Sequence, residues 1–182
     1  MPTELIVRHC APTLAGLKIG NLFSSKFNNI DNLLRMVNEQ NKKLNQKGVY
    51  LILLRIHNGN ALGYLYRKNQ LINRLAENDI KVFLSQFGYT DFSIEASLNL
   101  LSTRLSEDEF PHEIGVFLGY PLVDIKAFIK NKGANCPCVG CWKAYNNIKE
   151  AEKTFATFKK CTEVYCQQYT DGIDITRLTV AG

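Results

Sequence analysis

The segment Cys136-Pro137-Cys138-Val139-Gly140-Cys141 places three thiols close together in the chain. Cys-x-x-Cys on a tight loop is how zinc ribbons and redox pairs present two sulfurs to one centre. A structural zinc needs four ligands, and the later cysteines are Cys161 and Cys166. Both fall in a helical stretch, where a spacing of five at about 100° per residue sets them roughly 140° apart around the axis. That disfavours a four-cysteine ribbon. A thioredoxin-like pair opens a helix after a strand, whereas Cys141 runs into Trp142-Lys143-Ala144-Tyr145. The alternative is that these are small thiols of the core, a reading that Cys161, between Phe158 and Tyr165, fits best.

His9 and Cys10 set a nitrogen and a sulfur ligand side by side, and His112 with Glu113 opens a helical stretch. If the fold gathers His9, Cys10, His112 and Cys138, they make a mixed site suited to zinc, iron or haem iron. The structural alternative gives each a separate role, with Glu113 stabilising the positive end of a helix. Leu5-Ile6-Val7-Arg8-His9 resembles the first strand of the histidine phosphatases. The resemblance ends there, because the glycine that follows the histidine is Cys10, and only His57 and His112 remain as partners.

A second class of chemistry lies in residues 110–132. Gly115, Gly119 and Ile125 occupy the small, turn and buried offsets of a helix-turn-helix, with Ile114, Leu118 and Phe128 apolar around them. The second helix, however, begins Pro121-Leu122-Val123-Asp124, which offers no base-reading side chain and turns an acid toward phosphate. Lys126, Lys130 and Lys132 are then left to contact a nucleic-acid backbone without sequence preference. An aromatic and cationic wall for a planar ligand is a further reading, built from Trp142, Lys143 and Tyr145 with Tyr165 and Tyr169.

Three strings in the chain are distinctive: residues 9–18 (HCAPTLAGLK), 110–121 (FPHEIGVFLGYP) and 140–145 (GCWKAY). On these the chain resembles an uncharacterised domain-of-unknown-function family of about this length, found mainly in anaerobic bacteria. The resemblance covers nearly the whole chain and singles out His9, Cys10, Lys18, His112, Glu113, Trp142, Lys143 and Tyr145. It implies a tilt toward a metal or redox role and a redox protein partner such as flavodoxin. It brings no activity with it.

The elements that must position these residues follow from periodicity. Residues 4–8 read as a short strand and 11–16 as a loop, with a second apolar run at 17–23. Ile30, Leu33, Leu34, Val37 and Leu44 mark a helix that Gly48 ends. Residues 49–57 and 61–67 around Asn58-Gly59-Asn60 predict a β-hairpin. Helices follow at 80–87 and 94–105, the latter capped by Ser93, then two short ones within 110–132. Residues 139–145 read as a strand, and 148–169 as a long helix.

The expected fold is α+β. Short N-terminal strands and a hairpin pack with a predominantly helical C-terminal two-thirds, in a single domain over residues 1–182. The 182 residues suffice for one core, and 22 basic against 17 acidic side chains, interspersed, give a mild excess of +5 without a nucleic-acid tail. No apolar run reaches the roughly 18 residues of a membrane span, and the N-terminus lacks the features of a secretory signal. The expected location is the cytoplasm, where cysteines stay reduced.

Overall fold

A computed structural model describes residues 3–107 and 109–182. The chain runs α1 (Thr3–Leu14), β1 (Gly20–Lys26), α2 (Ile30–Leu44), a 3-10 turn (Asn45–Lys47), then β2 (Val49–His57) and β3 (Asn60–Arg67). The helices α3 (Lys68–Ala76), α4 (Asn78–Ser85), α5 (Ile94–Arg104), α6 (Ile114–Phe117) and α7 (Leu122–Lys130) follow. A small hairpin of β4 (Cys138–Val139) and β5 (Lys143–Ala144) leads into α8 (Ile148–Thr170) and α9 (Ile175–Leu178). The α+β expectation therefore holds.

The central element is an antiparallel sheet of order β1-β3-β2. Asn58 and Gly59, both at positive φ (47° and 70°), form the two-residue turn that fixes the β2–β3 register at His57 opposite Asn60. Because side chains alternate along a strand, each face feeds a different core. Leu54, Tyr64 and Tyr66 face the helices α3 to α7, packing with Leu71, Leu84, Leu101 and Phe117. Val49, Leu51, Ala61 and Leu65 face the other way, with Ile6 and Leu14 of α1, Leu33 and Val37 of α2, and Ile175 of α9.

Residues 4–14 correct the sequence reading: they are helix, not strand and loop. Ile6, Val7, Cys10, Ala11 and Leu14 form a buried stripe whose spacing follows the helical period and lays α1 between β1 and α8, and Pro12 and Thr13 are buried beside it at the end of the helix. Two adjacent β-branched residues and Pro12 obscure that stripe, and burial against two elements overrides their weak propensity. Arg67, at the end of β3 and 3% exposed, holds the far end of α1. Its guanidinium donates to Thr13 O and Leu14 O at 2.6 Å each and to Val180 O at 2.8 Å, satisfying carbonyls that a helix C-terminus leaves open. The chain then turns at Gly16 (φ 81°), and this carries Lys18 back over the sheet edge.

Two further contacts place the α6–α7 hairpin. Gly20 lacks the Cβ that would meet the Tyr64 ring at 2.5 Å, so Tyr64 lies flat beneath it and donates from Oη to Phe117 O at 2.6 Å. Gly119 (φ 74°) closes the hairpin turn and receives Ile19, whose Cγ1 lies 3.1 Å from where a side chain would begin. Residues 139–145 are a tight hairpin and not a continuous strand, Cys138 pairing with Ala144 and Val139 with Lys143. Among the described residues no helix is long and apolar enough to cross a membrane.

Candidate functional site

The four side chains expected to share a metal do not gather. His9 and Cys10 are neighbours on a helix, about 100° apart, so His9 is exposed while Cys10 is fully buried between α1 and the sheet. Among the described residues no group of three or more His, Cys, Asp or Glu side chains is arranged to hold a metal ion. The thiols of Cys10, Cys138 and Cys141 are all pushed upward by burial, opposite to the depression that marks reactive cysteines. Cys136 donates instead to Cys138 O at 2.8 Å, a bond internal to its own loop. Glu113 is fully buried and pairs with Arg104 of α5.

What does converge is an apolar cavity of about 370 Å3 between the α6–α7 hairpin and the β4–β5 hairpin. Its aromatic walls are Phe110, His112, Tyr120, Phe128 and Trp142, with Ile114, Leu118 and Ile125 at its base. The His112 imidazole stands edge-on to Phe128 at 4.9 Å between centroids and 5.9 Å from Phe110. The Trp142 indole contacts Tyr120 at 5.3 Å and Phe155 of α8 at 4.5 Å. Phe110 (51%) and Val139 (69%) remain exposed, leaving part of the lining open to solvent.

The β4–β5 hairpin is fixed from three sides. Asp124, buried in the first turn of α7, accepts from Tyr145 N (3.0 Å), Asn146 N (2.9 Å), Asn146 Nδ2 (3.2 Å) and Trp142 Nε1 (2.9 Å). Tyr120 donates from Oη to Cys141 O at 2.7 Å, its hydroxyl pKa raised to about 12 by burial and by Cys141. Gly140 rests on the Phe155 ring with no room for a side chain. Lys143 donates one N–H to Gly133 O at 2.8 Å and passes over the Phe128 ring, and Tyr145 donates to Ala134 O at 3.1 Å.

Lys18 approaches the same aromatic pair along a different path. It is 8% exposed, its ammonium lies 5.1 Å from the Tyr120 ring centroid, and it lines a second cavity of about 370 Å3. Tyr120 and Trp142 are the residues common to both cavities. Burial pushes the Lys18 pKa down to about 8, opposed by the thiols of Cys141 and Cys10.

Of the sequence candidates, His112, Trp142 and Lys143 thus share one cavity, and Lys18 joins Trp142 in the other. Tyr120, Asp124 and Phe128 complete the arrangement without having been singled out as site residues. The signal for Asp124 was present as an acid that a DNA-reading helix should not carry. Tyr165 and Tyr169 belong to the α1 side of the sheet, so the wall beside Trp142 is built from Tyr120 and Phe155.

The 110–132 segment forms the tight hairpin its glycines predict, Gly115 giving way to Ile125 where a Cβ would lie 2.9 Å from Cγ1. Yet α6 is a single turn, and residues 142–146 are bonded to the start of α7, the part a DNA reader lays against base edges. Lys126, Lys130 and Lys132 are exposed, with Lys126 over the Phe83 ring.

Residues 6–179 match the family described as "Protein of unknown function (DUF3793)", and the chain belongs to that family. No curated protein and no solved structure matches it.

Proposed function

We propose that this member of the DUF3793 family binds a small, flat and mostly apolar molecule with an anionic or hydrogen-bond-accepting edge, in the cavity between the α6–α7 and β4–β5 hairpins. The observation that carries this reading is an imbalance of donors and acceptors. Among the described residues the cavity has one carboxylate, Asp124, and four donors from residues 142–146 already engage it. Lys143 makes one donation of the three its ammonium can offer, and the His112 imidazole has no hydrogen-bond partner among the described residues. An occupant therefore meets aromatic faces on its flanks and free donors at one edge. The volume lies at the lower end of the roughly 300–1,000 Å3 typical of small-molecule sites.

Trp142 is the only tryptophan of the chain and lines both cavities, so its emission reports binding in either, and the response of Lys143→Met assigns the change to the first. Titration with 2-naphthoate is expected to change that emission saturably. Naphthalene-2-methanol, of the same shape but without the charge, should bind about tenfold more weakly, and Lys143→Met should erase the difference. Absence of a saturable change at millimolar 2-naphthoate would overturn the reading. Equal binding of the two compounds would favour an adaptor, with the exposed Phe110 and Val139 receiving an apolar side chain of a protein partner.

A further inference from the structure

The second cavity is built around one unpartnered amine. Among the described residues that line it, Lys18 is the only charged one; the others include Leu17, Ile19, Pro121, Phe158 and the Tyr120–Trp142 pair. Among the described residues its ammonium makes no ion pair and no hydrogen bond, and it keeps an opening to solvent through the cavity. An ordinary buried lysine is paired, because an ammonium taken out of water without a counter-charge is strongly penalised. Here α1 contributes Cys10, the β4–β5 turn contributes Cys141 and the α6–α7 turn contributes Tyr120, while Gln70 of α3 and Thr154 of α8 are neutral. None of these is an anion at neutral pH, since burial raises both thiols and the phenol.

An amine of this kind is a nucleophile more than an anion receptor. A receptor for carboxylate or phosphate converges several cationic donors, and this cavity has one cation, with Gln70 and Thr154 donating to Gly16 O and Glu150 O. We propose that Lys18 is the reactive amine of a second ligand site, which takes a small aldehyde or ketone with an apolar body and holds it as an imine. The nitrogen lone pair attacks the carbonyl carbon, the C–N bond forms, and the C=O π pair moves to oxygen. That oxygen takes a proton and the nitrogen loses one; the carbinolamine hydroxyl then takes a second proton from solvent and leaves as water while the nitrogen pair closes the C=N bond, and loss of the remaining N–H proton to solvent gives the imine. One water is released for each imine formed, and no oxidant or reductant takes part. With the Lys18 pKa at about 8, about a tenth of the amine is free at pH 7, against well under a thousandth for an ordinary lysine. The Leu17, Ile19 and Phe158 side chains and the Tyr120 and Trp142 rings offer apolar surface to the body of such a carbonyl compound.

The test uses the unmodified full chain, so no variant has to fold. A short pulse of benzaldehyde with cyanoborohydride at pH 7 converts imines to benzylamines, and peptide mass mapping locates them. Lys18 is expected to be labelled about tenfold or more ahead of exposed lysines such as Lys159 and Lys160. Benzyl alcohol, which fills the same space without forming an imine, should slow Lys18 and leave the others unaffected. Labelling of Lys18 no faster than of Lys159 would overturn the proposal. So would fast labelling that benzyl alcohol does not slow, since it would show a reactive amine without a cavity to receive the carbonyl. Neither result bears on 2-naphthoate binding in the first cavity, so the two sites stand or fall separately.

Discussion

The Asp124 carboxylate accepts the indole N–H of Trp142 through Oδ2 at 2.9 Å while its other oxygen gathers three donors from Tyr145 and Asn146. One side chain of α7 thus sets both the orientation of the cavity's largest ring and the path of the chain into α8. Hydrogen bonds to a buried charge contribute about 1.5–3 kcal/mol each, but those meeting on one group are not additive. Asp124→Ala is expected to lower the unfolding free energy by about 3 kcal/mol in urea denaturation and to red-shift Trp142 emission. A variant with unchanged emission would mean that the indole is held by Tyr120 and Phe155 without help.

Lys18 predicts a particular dependence of stability on pH. Its folded-state pKa of about 8 lies below the ordinary 10.5, so between those values the unfolded chain holds a proton that the folded chain has released. The contribution of this group to stability therefore rises as pH climbs through that window, and below it the buried ammonium costs about 2–3 kcal/mol. Lys18→Met should be more stable than the parent by about that amount at pH 7, with the gap closing toward pH 10.5. The neighbouring Cys10, Cys141 and Tyr120 are present in both proteins, so the difference between the two curves isolates the amine. A gap that stays constant with pH would show that the gain comes from packing alone.

Gly140 tests how the β4–β5 hairpin is seated. Its backbone is in an ordinary conformation, and the restriction comes from the Phe155 ring, which occupies the space a methyl group would need. Gly140→Ala should cost about 1–3 kcal/mol by overpacking and should weaken 2-naphthoate binding, because the turn that carries Trp142 must lift away from α8. The double variant with Phe155→Leu is expected to recover part of the stability. If it does not, the ring is not the obstacle.

Local elements with one dominant signal were legible in the sequence. The α2 stripe and the Asn58-Gly59 turn were readable because periodicity and turn chemistry act over a few residues. The same is true of the Ser93 cap, which accepts from Ala96 N. Residues 4–14 were not, since adjacent Ile6 and Val7 and the later Pro12 suggest strand and loop. The inward stripe at Ile6, Cys10 and Leu14 gains its meaning only from the sheet and α8 packed against it.

The candidate site followed the same division. The three distinctive strings contain Lys18, Tyr120 and Trp142, which the structure brings around one partition. The expected ligand set of His9, Cys10, His112 and Cys138 depended on His9 and Cys10 pointing together, which the helix forbids. Asp124 was visible only as a residue out of place on a DNA-reading helix. Its partners lie about twenty positions downstream, and no local pattern connects them.

Tyr120 and Trp142 are a party wall between two chambers. Whatever shift a guest on one side imposes on these rings, a guest on the other side meets. By thermodynamic reciprocity, whatever factor the first imposes on the affinity of the second, the second returns to the first. Any such factor is set at two residues, so substituting either ring alters both chambers at once.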